Sequence, residues 1–324
     1  MSVVVSNSAE QLNTEAVVTG RRPSRLASGR IQGRPSRRGA RRPARRTRTS
    51  ITLMIVMTLM LLYSLGPLFW LVVNSTKSRQ DLYDTSGLWF GPKFSLFTNI
   101  ADVFAYDDGV FLRWFLNTVL YVVVGAGGAT LLATLAGYGL AKYRFPGRKA
   151  VFAIILGALA IPGSVLAVPQ FLLFSKLGLT NTPAAVVIPS LVSAFGLYLV
   201  WVYAAEAIPD ELIEAARLDG AGELRIFFSI SLRQLAPAFI TVLMFAVVAT
   251  WNNYFLPLIM LSSPEWYPLT VGLSQWASAS ASIGTQPIPQ LVITGSLLTV
   301  LPISAAFLYL QRYWQSGLAA GSVK

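Results

Sequence analysis

The sequence contains no histidine and no cysteine, and charged residues make up only 12% of its 324 positions. Without imidazoles or thiols it cannot build a disulfide framework, a Cys- or His-ligated metal site, or a Ser-His or Cys-His nucleophile. These absences remove most enzyme classes, and we expect no catalytic residue and no metal site. Hydrophobic residues make up 54% of the chain, which exceeds the usual content of water-soluble domains and indicates an integral membrane protein.

Positive charge is concentrated in the first fifty residues, which carry twelve arginines and two glutamates and have a net charge of +10. The rest of the chain has a net charge of only +2. Arginine alternates here with proline, serine and glycine without apolar periodicity, so residues 1–50 are predicted to be a disordered, Arg-rich cytoplasmic tail. Because the tail has no aromatic residue, it lacks the stacking platform of a nucleic-acid-binding segment, and membrane lipid is the more plausible partner.

Six apolar segments are long enough to cross the hydrocarbon core of a bilayer, which takes about 20 residues. The first is also longer than the apolar part of a signal peptide and therefore reads as a retained span. The segments are residues 51–73, about 115–140, about 150–173, about 183–204, about 237–261 and about 288–311. The sequence thus predicts an all-α membrane protein in which a six-helix unit, residues 51–324, follows the tail.

Basic residues in the connections predict the orientation of these spans. With the N-terminus in the cytoplasm, 21 lysines and arginines lie inside and 5 lie outside. Cytoplasmic connections carry the excess of basic residues in membrane proteins. Both termini are therefore predicted to be cytoplasmic.

The spans contain no group that could drive transport. All fourteen acidic residues fall outside the six segments, whereas ion-coupled carriers commonly place an ionisable residue within the bundle. The phosphate-binding pattern G-x-x-x-x-G-K-[ST] is also absent from the sequence. If the chain moves a solute uphill, the energy must come from another subunit.

The only long inner connection, residues 205–236, has the pattern of two helices joined by a tight turn. Pro209 and Asp210 begin the first helix. Gly220 ends it at a position where the backbone is expected to adopt a positive φ. The apolar face predicted for this helix consists of Leu212, Ala215 and Ala216.

The run Glu214-Ala215-Ala216-Arg217-Leu218-Asp219-Gly220 resembles the EAA loop of permease subunits of binding-protein-dependent ABC importers. Other parts of the chain are similar to the carbohydrate-uptake branch, and the C-terminus resembles the second permease of maltose- and trehalose-type importers. These parts are Gly139–Arg148, Ile161-Pro162, Lys176–Thr182, Trp251-Asn252-Asn253 and Gln311–Lys324. Arg233 departs from the family, which usually has proline there, and the Arg-rich tail is not a general family feature.

The resemblance implies the type I ABC importer permease fold, with a core of about residues 112–312 and the EAA loop at 205–236. It also implies a non-catalytic, pore-forming subunit of a sugar importer in a bacterial or archaeal plasma membrane. The implied partners are a second homologous permease, two ATPase subunits that bind the ATP and Mg²⁺, and an extracytoplasmic sugar-binding protein. The coupling residues expected from it are Glu214, Ala215, Ala216, Asp219 and Gly220.

A sugar presents many hydroxyls and no charge, so neutral polar and aromatic side chains at membrane depth are the expected lining of its pathway. The candidates are Gln170, Tyr198, Asn252 and Asn253. The stretch from Pro162 to Pro169 is predicted to interrupt the third span, because two prolines lie there seven residues apart.

Other functions remain open from the residues alone. The same machinery could import a polyamine, glycerol phosphate or another solute. An ion-coupled secondary carrier is disfavoured by the lack of an intramembrane acid, and a structural membrane scaffold by the EAA pattern.

Overall fold

The computed structural model describes residues 50–281 and 288–320, with side chains described as far as Tyr313. The prediction of a disordered tail concerns residues outside this part, apart from Ser50. The end of the C-terminal motif, from residue 321 onward, also lies outside the described residues.

All regular structure in the described residues is helical, as the apolar runs predict. The first nine helices are α1 Ile51–Ser75, α2 Arg79–Asp84, α3 Leu96–Ala105, α4 Val110–Leu120, α5 Gly127–Lys142, α6 Arg148–Leu159, α7 Ala167–Lys176, α8 Pro183–Ser190 and α9 Ala194–Ala207. The others are α10 Asp210–Leu218, α11 Glu223–Ile226, α12 Leu232–Gln234, α13 Ala236–Trp251, α14 Phe255–Met260, α15 Leu269–Ala281 and α16 Pro289–Ala320. Two π-helical segments, Tyr121–Ala126 and Phe227–Ser231, continue α4 into α5 and α11 into α12.

Within the described residues, four helical stretches are long and apolar enough to cross a membrane. They are Ile51–Ser75, Leu96–Lys142, Pro183–Ala207 and Pro289–Tyr313. A fifth crossing arises if Glu223–Gln234 and Ala236–Trp251 form one span, although the two are bent by 81°. The predicted six-span arrangement is compatible with these helices, but the third, fourth and fifth predicted spans are each divided between two helices.

The predicted third span is divided at the proline-rich stretch. Helix α6 ends at Leu159 and α7 begins at Ala167, so the break expected around Pro162 is confirmed. Twelve helical residues rise about 18 Å, which is less than the roughly 30 Å of a bilayer core. Helix α6 therefore cannot cross the membrane by itself. Pro169 lies in the first turn of α7, where it is tolerated.

Helices α5 and α9 form the most extensive helix pair of the fold. Their backbones approach closely at Gly137, where an added Cβ would lie 2.8 Å from the carbonyl oxygen of Leu197 and 2.8 Å from the Cβ of Val200. Small residues at such contacts allow membrane helices to pack tightly in the absence of a hydrophobic driving force. The α5–α9 pair therefore provides a rigid frame for the loop that follows α9.

The predicted orientation can be tested with reporters at two positions. Asp107 and Asp108 have φ values of 51° and 52° at a kink between α3 and α4, where an insertion interrupts no regular helix. We expect a topology reporter inserted after Asp108 to report the exterior and a reporter fused after Gly317 to report the cytoplasm. Alkaline phosphatase and green fluorescent protein fusions measure the two sides. Reporters on the same side would show that the number of crossings between these points is even.

Candidate functional site

The EAA loop folds as the predicted pair of helices, α10 and α11, joined by a tight turn. Helix α10 ends with hydrogen bonds from Gly220 N to Arg217 O and from Ala221 N to Ala216 O, both 3.0 Å long. This pair of bonds is the Schellman motif, which requires a left-handed residue directly after the helix cap. Gly220 occupies that position with φ +79°, so the positive φ predicted from the sequence is confirmed.

The buried face of α10 differs from the predicted one. Ile213 and Ala216 are buried, whereas Leu212 is half-buried and Ala215 is exposed. The prediction placed Ala215 on the apolar face because Leu212, Ala215 and Ala216 follow the i, i+3, i+4 spacing of one helix face, and so it misjudged the rotation of a nine-residue helix. The face that contacts the body is centred on Ile213 and Ala216.

A buried apolar cluster joins the loop to the transmembrane helices. Ile213, Ala216, Ile226 and Phe227 from the loop pack in one core with side chains of α5, α9 and α13. The members contributed by these three helices are Ala133, Tyr138, Val200, Ala204, Ala238 and Val242. Because protein cores are close-packed, a displacement of the loop is passed to these helices rather than absorbed.

Five polar residues, Lys142, Tyr143, Asp210, Arg217 and Glu223, connect the EAA loop to the end of α5; we call them the inner latch. Lys142 Nζ lies 2.8 Å from Asp210 Oδ1, and the Lys142 side chain is only 6% exposed. Tyr143 Oη donates a hydrogen bond to Glu223 Oε2. Arg217 Nε donates to Glu223 Oε1 at 2.7 Å, and its guanidinium lies 5.8 Å from the centre of the Tyr143 ring.

The latch is formed at neutral pH. The hydrogen bond from Lys142 lowers the pKa of Asp210 below its ordinary 3.8, and hydrogen bonds from Arg217 and Tyr143 lower the pKa of Glu223 below 4.5. Burial, together with the hydrogen bond to Glu223, raises the pKa of the Tyr143 phenol, which therefore remains a donor. Since both carboxyl pKa values are lowered by folding, this stabilisation is present above the ordinary carboxyl range and is lost as the pH falls through the lowered values.

The acids proposed from the sequence to act in coupling, Glu214 and Asp219, are exposed and lie outside the ion pairs found in the described residues. Glu214 lines an open cleft of about 360 Å³, together with the latch residues other than Glu223 and with Arg144 and Ile213. Asp219 caps α10 through its backbone N–H. Leu218 and Leu224, on either side of the Gly220 turn, are 89% and 73% exposed. Exposed apolar side chains that lie together and are bordered by polar residues mark surfaces that bind a partner protein.

A second cleft, of about 200 Å³, lies between α5, α13 and the break that separates α8 from α9; we call it the hydroxyl cleft. Its lining contains no charged side chain and consists of Ala129, Ser190, Val192, Ser193, Ala246, Ala249, Thr250 and Asn253. Within the described residues the side-chain amide of Asn253 makes no hydrogen bond. The Asn253 amide is therefore available to donate hydrogen bonds to a neutral, hydroxylated solute and to accept hydrogen bonds from it.

The four pathway candidates do not come together in the structure. Asn253 lines the hydroxyl cleft, while the adjacent Asn252 is exposed and donates to Val248 O of its own helix at 2.8 Å. Tyr198 stacks on Trp201 and lines a different groove on α9. Gln170 is half-buried in α7. Only Asn253 therefore lies with other neutral polar groups in a cleft between helices.

Sequence reasoning missed Ser190, Ser193 and Thr250 as lining residues. Ser190 ends α8 and Ser193 caps α9 by accepting a hydrogen bond from Gly196 N at 3.1 Å. A serine pair at a break within an apolar run is a recognisable signal, because irregular backbone at membrane depth is tolerated where it lines a cavity.

The chain combines long apolar helices, a cleft lined with small and hydroxylated residues, and a folded loop packed on the ends of the same helices. These features define a membrane transport component. A family profile described as "Binding-protein-dependent transport system inner membrane component" matches residues 129–319. The chain belongs to this family. It is therefore an inner-membrane component of a transport system that works with a substrate-binding protein.

Curated relatives cover most of the chain. The arabinooligosaccharides transport system permease protein AraQ of Bacillus subtilis is 33% identical over 86% of this chain and 96% of its own length. The lactose transport system permease protein LacG of Rhizobium radiobacter is 34% identical over 83% of this chain and 94% of its own. The melibiose/raffinose/stachyose import permease protein MelC of Bacillus subtilis is 31% identical over 80% of this chain.

A solved structure confirms the fold. A chain of a bacterial ABC transporter involved in the import of the acidic polysaccharide alginate superimposes with a TM-score of 0.70. It covers 82% of this chain and 95% of its own length at 22% identity. The type I ABC importer permease fold expected from the EAA loop is therefore observed.

Proposed function

We propose that this chain is one of two membrane subunits that form the translocation pathway of an ATP-driven importer of di- or oligosaccharides. Its partners are a second homologous permease, two ATPase subunits that bind ATP and Mg²⁺, and an extracytoplasmic sugar-binding protein. The relatives named for arabinooligosaccharides, lactose and melibiose support the substrate class.

The geometry of the EAA loop carries the coupling part of this proposal. The loop is the large folded connection on the side predicted to be cytoplasmic, and its core is continuous with α5, α9 and α13. Exposed Leu218 and Leu224 flank its turn, and exposed Glu214 lies beside a cleft. An ATPase that binds these residues moves the helices that border the hydroxyl cleft, since both sites share α5 and α13.

The hydroxyl cleft supports a neutral, hydroxylated solute over a charged one. A polyamine or glycerol phosphate needs compensating charge when it leaves water, and the residues lining the cleft supply none. Serine and threonine hydroxyls and the Asn253 amide satisfy sugar hydroxyls without burying an ion.

Uptake assays with a defined panel test the proposal. A strain lacking the gene, complemented or not, is assayed with arabinotriose, lactose, melibiose, diacetylchitobiose, spermidine and glycerol 3-phosphate. We expect complementation to restore uptake of at least one of the sugars and of neither charged solute. Restored uptake of spermidine or glycerol 3-phosphate alone would overturn the sugar assignment.

The cleft makes a second, residue-level prediction. We expect Asn253→Ala to reduce sugar uptake by about 5- to 10-fold, because a hydrogen bond between its amide and the sugar is worth roughly 1 kcal/mol or more. The control is Ser296→Ala, because the Ser296 hydroxyl donates a hydrogen bond to Val292 O of its own helix, away from the cleft. Initial uptake rates at equal membrane abundance are compared. Equal rates in the two variants would remove Asn253 from the pathway.

A further inference from the structure

Helix α5 reaches from the hydroxyl cleft to the EAA loop. Ala129, in its first turn, lines the cleft, and Lys142, its last residue, is part of the inner latch. Its sixteen residues span about 24 Å. A rigid helix of this length moves its two ends together, so whatever holds its inner end to the loop decides whether loop motion reaches the cleft.

The loop is connected to α5 in two ways. Apolar contacts around Ile213 and Phe227 also involve α9 and α13, so they do not distinguish α5 from its neighbours. The polar contacts of the latch are specific, because Lys142 and Tyr143 belong to α5 and the residue directly after it. Tyr143 contacts both sides of the Gly220 turn, since its hydroxyl bonds Glu223 in α11 and its ring lies near Arg217 in α10.

We infer that Tyr143 is a positioning residue, which holds α10 and α11 in a fixed orientation on the end of α5 so that force applied to the loop is transmitted to the hydroxyl cleft. The inference rests on the proposed function, because it assumes that an ATPase acts on the loop. It adds a residue outside the loop to the coupling machinery and identifies α5 as the helix that carries the motion.

The latch lies at the edge of the core, and the ring of Tyr143 packs against that core. Hydrogen bonds to a charged carboxylate are stronger than neutral ones. Glu223 accepts from both Tyr143 and Arg217, so the three side chains form one network rather than separate surface pairs. Removing the Tyr143 hydroxyl takes away one donor and leaves the aromatic ring beside Tyr138 and Arg217.

Tyr143→Phe in the complete transporter, with both permeases, the ATPase and the binding protein, tests the inference. We expect normal assembly, normal thermal stability and normal basal ATP hydrolysis, with sugar uptake per ATP hydrolysed reduced about 5- to 10-fold. We also expect faster hydrogen–deuterium exchange at residues 218–224. Tyr83→Phe is the matched control, because Tyr83 is 66% exposed on α2, away from the loop.

A double-mutant cycle separates positioning from a general loss of structure. Glu223→Gln weakens the same network, so Tyr143→Phe/Glu223→Gln should be no worse than the more affected single variant. Fully additive losses, or an unchanged ratio of uptake to hydrolysis in Tyr143→Phe, would overturn the inference. Failure of the proposed function is a different result, in which the wild-type complex shows no ATP-dependent sugar uptake.

Discussion

Replacing Gly220 with valine is expected to abolish ATP-driven uptake while the protein stays in the membrane. Gly220 has φ +79° at the left-handed position of the motif that ends α10. A Cβ in that conformation costs roughly 1–2 kcal/mol, and a β-branched side chain costs more. An added Cβ would meet no atom within 4 Å, so the effect comes from backbone strain and not from a clash.

The strain is relieved when φ at position 220 changes, and this change alters the orientation of α11 relative to α10. Leu218 and Leu224, which flank the turn, then no longer present one surface to the ATPase. We expect sugar uptake to fall by at least tenfold and the ATPase to be lost on purification or to hydrolyse ATP without stimulation by substrate. The helices that surround the cleft remain folded, since Gly220 lies outside their core.

Two variants make the Gly220 experiment specific. Gly222→Val is the matched control, because Gly222 is also open to solvent but has φ −70° and ψ 157°, which β-branched residues adopt readily. Gly220→Asn should recover part of the activity, since asparagine tolerates the left-handed region better than other residues with a Cβ. Equal uptake in Gly220→Val and Gly222→Val would remove the turn from the coupling mechanism.

Replacing Gly137 with leucine is expected to prevent stable folding of the permease. An added Cβ would lie 2.8 Å from a carbonyl oxygen of α9, and backbone cannot move aside as the end of a side chain can. The other atoms of leucine must also find space between the two helices. Overpacking of this kind costs typically 1–3 kcal/mol and occasionally more, at the most extensive helix contact of the fold.

Gly139, two residues further along the same helix, is the control for this experiment. An added Cβ there would meet no atom within 4 Å. We expect Gly139→Leu to give a monodisperse protein with near-normal thermal stability in detergent, whereas Gly137→Leu aggregates or is degraded. Size-exclusion chromatography and a thermal unfolding assay compare the two. Normal behaviour of Gly137→Leu would show that α5 and α9 can separate without loss of the fold.

Local patterns were sufficient for the features that depend on a few neighbouring residues. The two-helix form of the EAA loop and the positive φ of Gly220 follow from Pro209, Asp210 and glycine chemistry. The break near Pro162 follows from the missing N–H and the ring of proline. Each of these features is determined within one or two helical turns, so no distant part of the chain had to be known.

Features that depend on packing were predicted less well. The buried face of α10 was predicted wrongly at Ala215, because its rotation is decided by the core formed with α5, α9 and α13. Glu214 and Asp219 were singled out because of the motif, whereas Asp210 and Glu223 hold the loop.

The sequence by itself determined the membrane character of the chain, its helical class, its family and the position of its EAA loop. These follow from composition, from apolar length and from a continuous motif, all of which are local along the chain. Only the tertiary structure decided the inner latch and the hydroxyl cleft. Lys142 and Tyr143 contact Asp210 and Glu223 across 68 and 80 residues, and Ser190 and Asn253 line the same cleft. No local sequence pattern shows which of these residues will meet, because the approach of helices depends on close packing at positions such as Gly137.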